Sequence, residues 1–232
     1  YLSNTATDVI NPHIYKSLSY DAAKDFEPVI LVVKTPNVLA VTPSLPVKNV
    51  KELIEYAKST PGGLTFGTPG NGTTGHFTGM LFSSTVGVKL THVPYKATPQ
   101  VQNDVIAGIT QMAFDNATSW APHVNAGKVR ALAVTSPSRS PLMPDVPTLQ
   151  ELGLKGFEAT TFAGISVPKG TPDAIVQKLN RDIKEIIQTT QFKARMSGGE
   201  IGGGSSASFK EYIAAESQKW GTVAKQIGLR VE

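Results

Sequence analysis

The sequence contains no cysteine, which excludes a disulfide framework, a thiolate zinc site and a cysteine nucleophile. No apolar run approaches the roughly 20 residues needed to cross a bilayer as a helix; the segment Pro28 to Val33 has the length of a buried strand. Aromatic residues make up only 7% of the chain and do not alternate with basic ones as base-stacking platforms would. The 22 Lys and Arg are scattered, with no block of four or more. A net charge of +4 and a pI of about 9.2 therefore describe a solvated basic surface, and nucleic acid is not an expected partner. The histidines His13, His76, His92 and His123 show no ligand spacing, so no metal is expected, and no cofactor motif is complete. Tyr1-Leu2-Ser3-Asn4 carries no initiator Met, charged n-region or apolar h-region, so no signal peptide lies in this sequence. The strand-like start suggests that the natural N-terminus lies upstream.

The chain has 232 residues, 40% of them hydrophobic and 17% charged, which is enough for a core in one large domain or two lobes. Its 21 Gly and 16 Pro predict many short turns. Strands are expected at 29–33, 38–41, 64–66, 89–93, 109–114, 129–135 and 162–167. Asn49 with Glu52 reads as a capping box opening a helix through Val50, Leu53, Ile54 and Ala57. A second helix from about Thr74 to Thr85 carries Phe77, Met80, Leu81 and Ser84 on one side. Thr98-Pro99 reads as an N-cap with Pro at the first helical position. Further helices are expected near 118–126, at 148–152 (Thr148 with Glu151), after Thr171-Pro172 with Ile175, Leu179, Ile183 and Ile186 on one face, and from near Ser205. Alternating strands and helices make an α/β protein with largely parallel sheets. The segments 36–41 and 160–167 flank a complete run of such elements. We therefore expect a first lobe of 1–38 and 161–232, and a second lobe of 39–160, entered and left once.

The most informative segment is Gly67-Thr68-Pro69-Gly70-Asn71-Gly72-Thr73-Thr74-Gly75-His76, between a strand and a helix. Glycines and small hydroxyl residues there allow backbone N–H groups to face outward at a helix N-terminus, which is an anion site; a mere tight turn is the plainer alternative. It is no P-loop, because no Gly-Lys-Ser/Thr follows. Asp115-Asn116 ends an apolar strand, so Asp115 either faces a strand-end cleft or caps the next helix. His76 has no nucleophile or orienting acid at a recognisable spacing and reads as a surface or helix-terminal histidine. No G-x-S-x-G occurs. The glycine run 198–204 reads as a short strand between turns.

A whole-chain resemblance adds to this reading. Asn11-Pro12-His13-Ile14-Tyr15, Lys24-Asp25-Phe26-Glu27-Pro28-Val29, Thr35-Pro36-Asn37-Val38-Leu39, Phe66-Gly67-x-x-Gly70-Asn71-Gly72-Thr73, His92-Val93-Pro94-Tyr95-Lys96 and Phe114-Asp115-Asn116 resemble the tripartite tricarboxylate transporter receptors, the Bug receptors. Gly127-Lys128-Val129-Arg130-Ala131-Leu132-Ala133-Val134-Thr135, Pro144-Asp145-Val146-Pro147-Thr148 and Lys219-Trp220-Gly221 continue it. The resemblance implies a two-lobe periplasmic binding protein fold, type II-like, with two crossover hinge strands. It also implies that the N-terminal part of the first lobe, with a further amide loop, is missing here, so that the chain binds ligand poorly. By position, Gly70, Asn71, Gly72, Thr73 and Thr74 resemble a carboxylate-gripping loop. Thr5 and Thr7 resemble a cleft-facing loop of the first lobe, Asp115 the distal border of the pocket, and Thr161 and Phe162 the crossover lining.

The implied function is that of a periplasmic solute-binding receptor, not an enzyme. It would capture a small organic carboxylate by lobe closure and deliver it to the permease subunits of a tripartite tricarboxylate transporter. A permease-less receptor presenting its ligand to a sensor kinase is the alternative. An α/β enzyme using His76 or Asp115 as acid–base is disfavoured by the missing catalytic spacing.

Overall fold

The computed structural model describes residues 1–230. The chain divides into two units, Tyr1–Lys34 with Thr161–Glu232, and Thr35–Thr160. The first division falls at 34/35, inside a strand, earlier than the 38/39 expected.

In chain order the elements are β1 (Leu2–Asn4), a π-helical turn (Thr5–Ile10), α1 (Asn11–Ile14), α2 (Ala22–Asp25), β2 (Phe26–Val41), α3 (Val50–Ser59), β3 (Leu64–Thr68), α4 (Thr74–Val86), β4 (Leu90–Pro94), α5 (Thr98–Ile106), β5 (Met112–Asn116), α6 (Ala117–Asn125) and β6 (Arg130–Val134). Then follow β7 (Thr160–Pro168), α7 (Asp173–Gln188), α8 (Thr190–Arg195), β8 (Glu200–Gly203) and α9 (Ser206–Ile227).

The two strands expected at 29–33 and 38–41 are one strand, β2. Pro28 and Pro36 suggested a break because proline donates no ladder bond. β2, however, changes partner along its length: Leu31, Val33 and Lys34 pair with β8, whereas Asn37 to Val41 pair with β5 and β6. Pro36 falls between the residues paired with β8 and those paired with β5 and β6.

In the first unit β7 lies between β1 and β2, with β8 on the far side of β2. The β1–β7 and β2–β8 pairs are antiparallel, so the expectation of largely parallel sheets does not hold here. Val29 and Ile30 of β2 pack on Val176 and Ile187 of α7, with Leu179 and Ile183 partly buried alongside. Ile175 and Ile186, expected on the inner face of that helix, are exposed. The other sheet face holds Phe162, edge-on to Phe209 and Tyr212 of α9 at 5.8 and 5.4 Å. The start of α9 is fixed by a Ser205–Ser208 capping box, worth about 1 kcal/mol by the usual cost of losing an N-cap.

In the second unit the strand order is β4-β3-β5-β2-β6. β3 runs parallel to β4 and β5, and β2 runs antiparallel to β5 and β6. One face buries Val38, Ala40, Val101, Val105, Ala113 and Trp120. The other carries an aromatic cluster in which Phe82 meets Phe114 at 5.4 Å and Phe66 meets Phe114 edge-on at 6.2 Å. Thr135, fully buried, ties the strands by which the chain enters and leaves. Its Oγ1 accepts from Asn37 N at 2.9 Å and lies 2.6 Å from Ala159 O, to which it donates.

Several local expectations change in detail. Asn49 caps α3 by accepting from Glu52 N at 2.9 Å, but Glu52 reaches back to Lys48 N at 2.6 Å, one residue beyond a standard box. Ala97, not Thr98, is the N-cap of α5. Thr148 and Glu151 exchange capping-box bonds of 2.9 and 3.0 Å, yet only turns follow, because Gly153 adopts φ 97° and interrupts the helix after one turn.

Candidate functional site

The loop after β3 is built from the glycines outward. Gly70 and Gly72 take φ of 137° and 74°, conformations that an L side chain resists. Two hydroxyls hold the turn between them. Thr68 Oγ1 donates to Gly70 O at 3.1 Å, and Thr73 Oγ1 donates to the same oxygen at 2.9 Å. Thr73 is also the N-cap of α4, accepting from His76 N at 3.3 Å. Thr74 and Gly75 are the first two helical positions, whose N–H groups have no intrahelical acceptor. They sit at the positive end of the helix dipole.

The helix reaches this position because two glycines let it lie flat on the sheet. A Cβ on Gly75 would stand 2.1 Å from Phe114 O, and one on Gly79 would stand 2.2 Å from the Phe66 ring. The buried face of α4 is therefore Gly75, His76, Phe77, Thr78, Gly79 and Phe82, while Met80 and Leu81 are only half-buried. Apolar periodicity pointed to a different face because glycine carries no hydrophobic signal.

His76 is not a surface histidine. Its ring is 5% exposed, and it stacks on His92 of β4 with centroids 3.7 Å apart and planes 11° from parallel. Nδ1 of His76 accepts the Gly72 N–H at 3.3 Å. His92 Nε2 is 2.6 Å from Thr68 Oγ1. Burial pushes the His76 pKa down to about 4. Burial, with the neighbouring His76 second, takes His92 down to about 3. Both rings are neutral near pH 7. The spacing that could have revealed this is Gly72 to His76, four residues apart across a helix start, which folds the ring back onto its own loop.

Asp115 sits at the end of β5, next to the Phe114 carbonyl that α4 covers. It is 7% exposed. Oδ2 accepts from Thr98 Oγ1 at 2.9 Å and from the indole Nε1 of Trp120 at 3.1 Å, and Oδ1 accepts from Asn116 N at 2.8 Å. The side chain that caps α6 is that of Asn116, accepting from Thr118 N at 3.0 Å. Burial raises the Asp115 pKa, with the three hydrogen bonds acting in the opposite sense. The sequence reading missed Thr98 and Trp120 as its partners. Trp120 follows Asp115 at five residues, over a strand-to-helix turn that has no fixed geometry in the sequence.

In the first unit Thr5 and Thr7 lie on a π-helical turn, not a loop. Thr5 is fully buried, and its Oγ1 accepts from Phe162 N at 2.8 Å. Thr7 is half-buried; its Oγ1 accepts from the Tyr1 hydroxyl at 2.7 Å and donates to Asp8 Oδ1 at 3.1 Å. The Phe162 ring is 1% exposed and packs in the core against α9; Thr161, on the other face of β7, is half-buried. Thus Gly70 to Thr74 and Asp115 belong to one unit, and Thr5, Thr7, Thr161 and Phe162 to the other. Among the described residues no group of acidic and histidine side chains could hold a metal ion, and no helix is long and apolar enough to cross a membrane.

The chain is an α/β protein divided in two units at long strands, with a glycine loop at a helix N-terminus. The family model described as tripartite tricarboxylate transporter family receptor matches residues 2–229, and the chain belongs to that family. A relative from Pseudomonas sp. strain P51, described as a UPF0065 protein of the tcbD-tcbE intergenic region, is 34% identical over 94% of this chain and 66% of its own length. Two other relatives are covered over 59% and 61%, so the chain spans about two thirds or less of these proteins. Among solved structures, R. palustris Rpa4515 with adipate is 35% identical with a TM-score of 0.88, covering 99% of this chain and 77% of that one. MatC from Rhodopseudomonas palustris with bound malate is 26% identical with a TM-score of 0.83, covering 96% and 77%.

Proposed function

We propose that this chain is a periplasmic solute-binding receptor for a small organic carboxylate, which it delivers to the membrane permease of a tripartite tricarboxylate-type transporter. The observation that carries the reading is the loop Gly70–Thr74. Backbone amides lie there at the N-terminus of α4, with no arginine or lysine beside them in sequence, which suits one carboxylate held by backbone N–H groups and water. The N–H of Gly72 is committed to His76. The donors we assign to the ligand are therefore those of Asn71, Thr73, Thr74 and Gly75, with Gly70 and Gly72 setting the backbone path. Asp115 we retain as the residue that discriminates among ligands, acting through a position already saturated by three donors. In the first unit we assign Thr7 and Thr161 as ligand contacts, and Thr5 and Phe162 as residues that hold the backbone around them.

Family membership supports a receptor in preference to an enzyme. The adipate and malate carried by two related structures support carboxylates as the substrate class. Isothermal calorimetry with mono- and dicarboxylates of two to eight carbons, adipate and malate among them, and with neutral sugars as controls, tests it. Saturable binding of at least one carboxylate at micromolar affinity is expected of the full-length protein, on which the measurement is made. Binding of a sugar, or of no carboxylate, overturns the reading.

A further inference from the structure

The buried imidazole pair beneath the loop has no part in the function argued above, yet it touches the loop at both ends. Thr68 Oγ1 has one proton, which goes to Gly70 O at 3.1 Å. Its lone pairs then face the Gly70 N–H at 3.4 Å and His92 Nε2 at 2.6 Å, which donates in the tautomer with its proton there. At the other end the Gly72 N–H is a donor only, so His76 Nδ1 must be a bare lone pair. His76 is therefore the tautomer with its proton on Nε2. These assignments satisfy the two threonine hydroxyls and the Gly70 and Gly72 amides with both rings neutral, and leave the Asn71 and Thr73 amides for the ligand.

Protonation affects the two ends differently. A cationic His92 would keep its Nε2–H to Thr68. A cationic His76 would turn Nδ1 into a donor facing another donor, and the Gly72 contact would break. Among the described residues no carboxylate is placed to accept that proton. The elements packed on His76 present Phe66 of β3, His92 of β4 and Phe77 of α4 itself, and the loop supplies only Gly, Pro, Asn and Thr. The nearest acid in sequence on the adjoining strand, Asp115, is held by Thr98, Trp120 and Asn116. Neither ring is ion-paired among the described residues.

We propose that His76 is a positioning residue for carboxylate binding: its neutral imidazole clamps the Gly72 amide in the conformation that points the neighbouring amides outward, and acid releases the clamp and with it the ligand. The downward displacement of the His76 pKa by burial places that release in mildly to strongly acidic solution and leaves the clamp closed near neutrality. The proposal rests on the carboxylate-receptor reading.

The test has one arm without ligand and one with it. In the ligand-free arm, long-range 1H–15N NMR of the imidazoles at pH 7.5 should show His76 with a bare Nδ1 and a protonated Nε2. The Gly72 amide resonance should move when the ring titrates, at a pH well below 6.5. A His76 that carries its proton on Nδ1, or that titrates near 6.5, overturns the proposal. In the second arm, adipate affinity is measured from pH 4 to 8. His76→Phe, which keeps the ring but has no acceptor, should bind about tenfold more weakly at pH 7.5, the size expected for losing one buried hydrogen bond. His76→Asn, whose Oδ1 can take the place of Nδ1, should restore most of that affinity and lose less of it in acid than wild type does, the remaining loss being adipate's own protonation. If wild-type and His76→Asn lose affinity in acid alike, the clamp is refuted whatever His76→Phe does. If wild-type protein binds no adipate at any pH, the adipate reading fails, and the NMR arm still decides the clamp.

Discussion

Asp115→Ala is the substitution whose outcome the structure makes most specific. The carboxylate is the acceptor for the Trp120 indole, which is fully buried, so its removal strands an N–H that water cannot reach. That loss costs about 1–3 kcal/mol. The Thr98 hydroxyl can rotate to another acceptor, and the half-buried Asn116 N–H can take water, so neither adds much. The cost is also tempered because burial already disfavours the ionised carboxylate, as its raised pKa indicates. Asp115→Asn keeps one oxygen for the indole, and Thr98 can turn to accept from the new amide; its cost should stay below about 1 kcal/mol. Urea unfolding of the second unit, followed by Trp120 fluorescence in a Trp220→Phe background, measures both variants, because those are the chain's two tryptophans. A carboxylate panel run on the Asn variant then tests discrimination in a folded protein: its preference among mono- and dicarboxylates should change while binding persists. Equal midpoints for wild type and Asp115→Ala would refute the argument about the indole. An unchanged ligand profile in Asp115→Asn would leave Asp115 as a structural anchor only.

Gly75→Ala should destabilise the second unit by about 1–3 kcal/mol and weaken carboxylate binding, since a Cβ 2.1 Å from the Phe114 carbonyl forces α4 off the sheet; unfolding and calorimetry on the same preparation check both. Gly72→Val places a β-branched residue at φ 74°, at a strain cost of about 1–3 kcal/mol, and should weaken ligand binding more than folding; unchanged affinity would remove the loop from the site. The histidines titrate near 4 and 3 when folded and near 6.5 when unfolded, so below pH 6.5 the unfolded chain binds more protons. Their contribution to stability is fully present above pH 6.5 and is lost as pH falls towards 4. A Tm that is flat from pH 6.5 to 4 in the second unit would contradict it; Asp115 of the same unit, whose pKa burial raises, acts in the opposite sense.

Local chemistry was legible in the sequence wherever a segment decides its own conformation. Asn49 and Ser205 cap the helices that follow them. The glycines after β3 form a turn at a helix start, and the absences of cysteine, long apolar runs and basic blocks hold without any coordinates. The whole-chain resemblance also lay in the sequence, because the order and spacing of many short motifs survive without a structure. Pairing across the sheet decided the rest. β2 is continuous through Pro36 only because its ladder partner changes there, and no local pattern encodes which strand arrives from the other end of the chain. The inner face of α4 is set by two glycines that meet Phe114 and Phe66, contacts that hydrophobic periodicity cannot register. His76 and His92 stand sixteen positions apart, and neither looks unusual alone. The parallel pairing of β3 with β4 stacks them, buries them and removes their charge. That step turns two histidines far apart in sequence into the support of the loop, and it exists only in three dimensions.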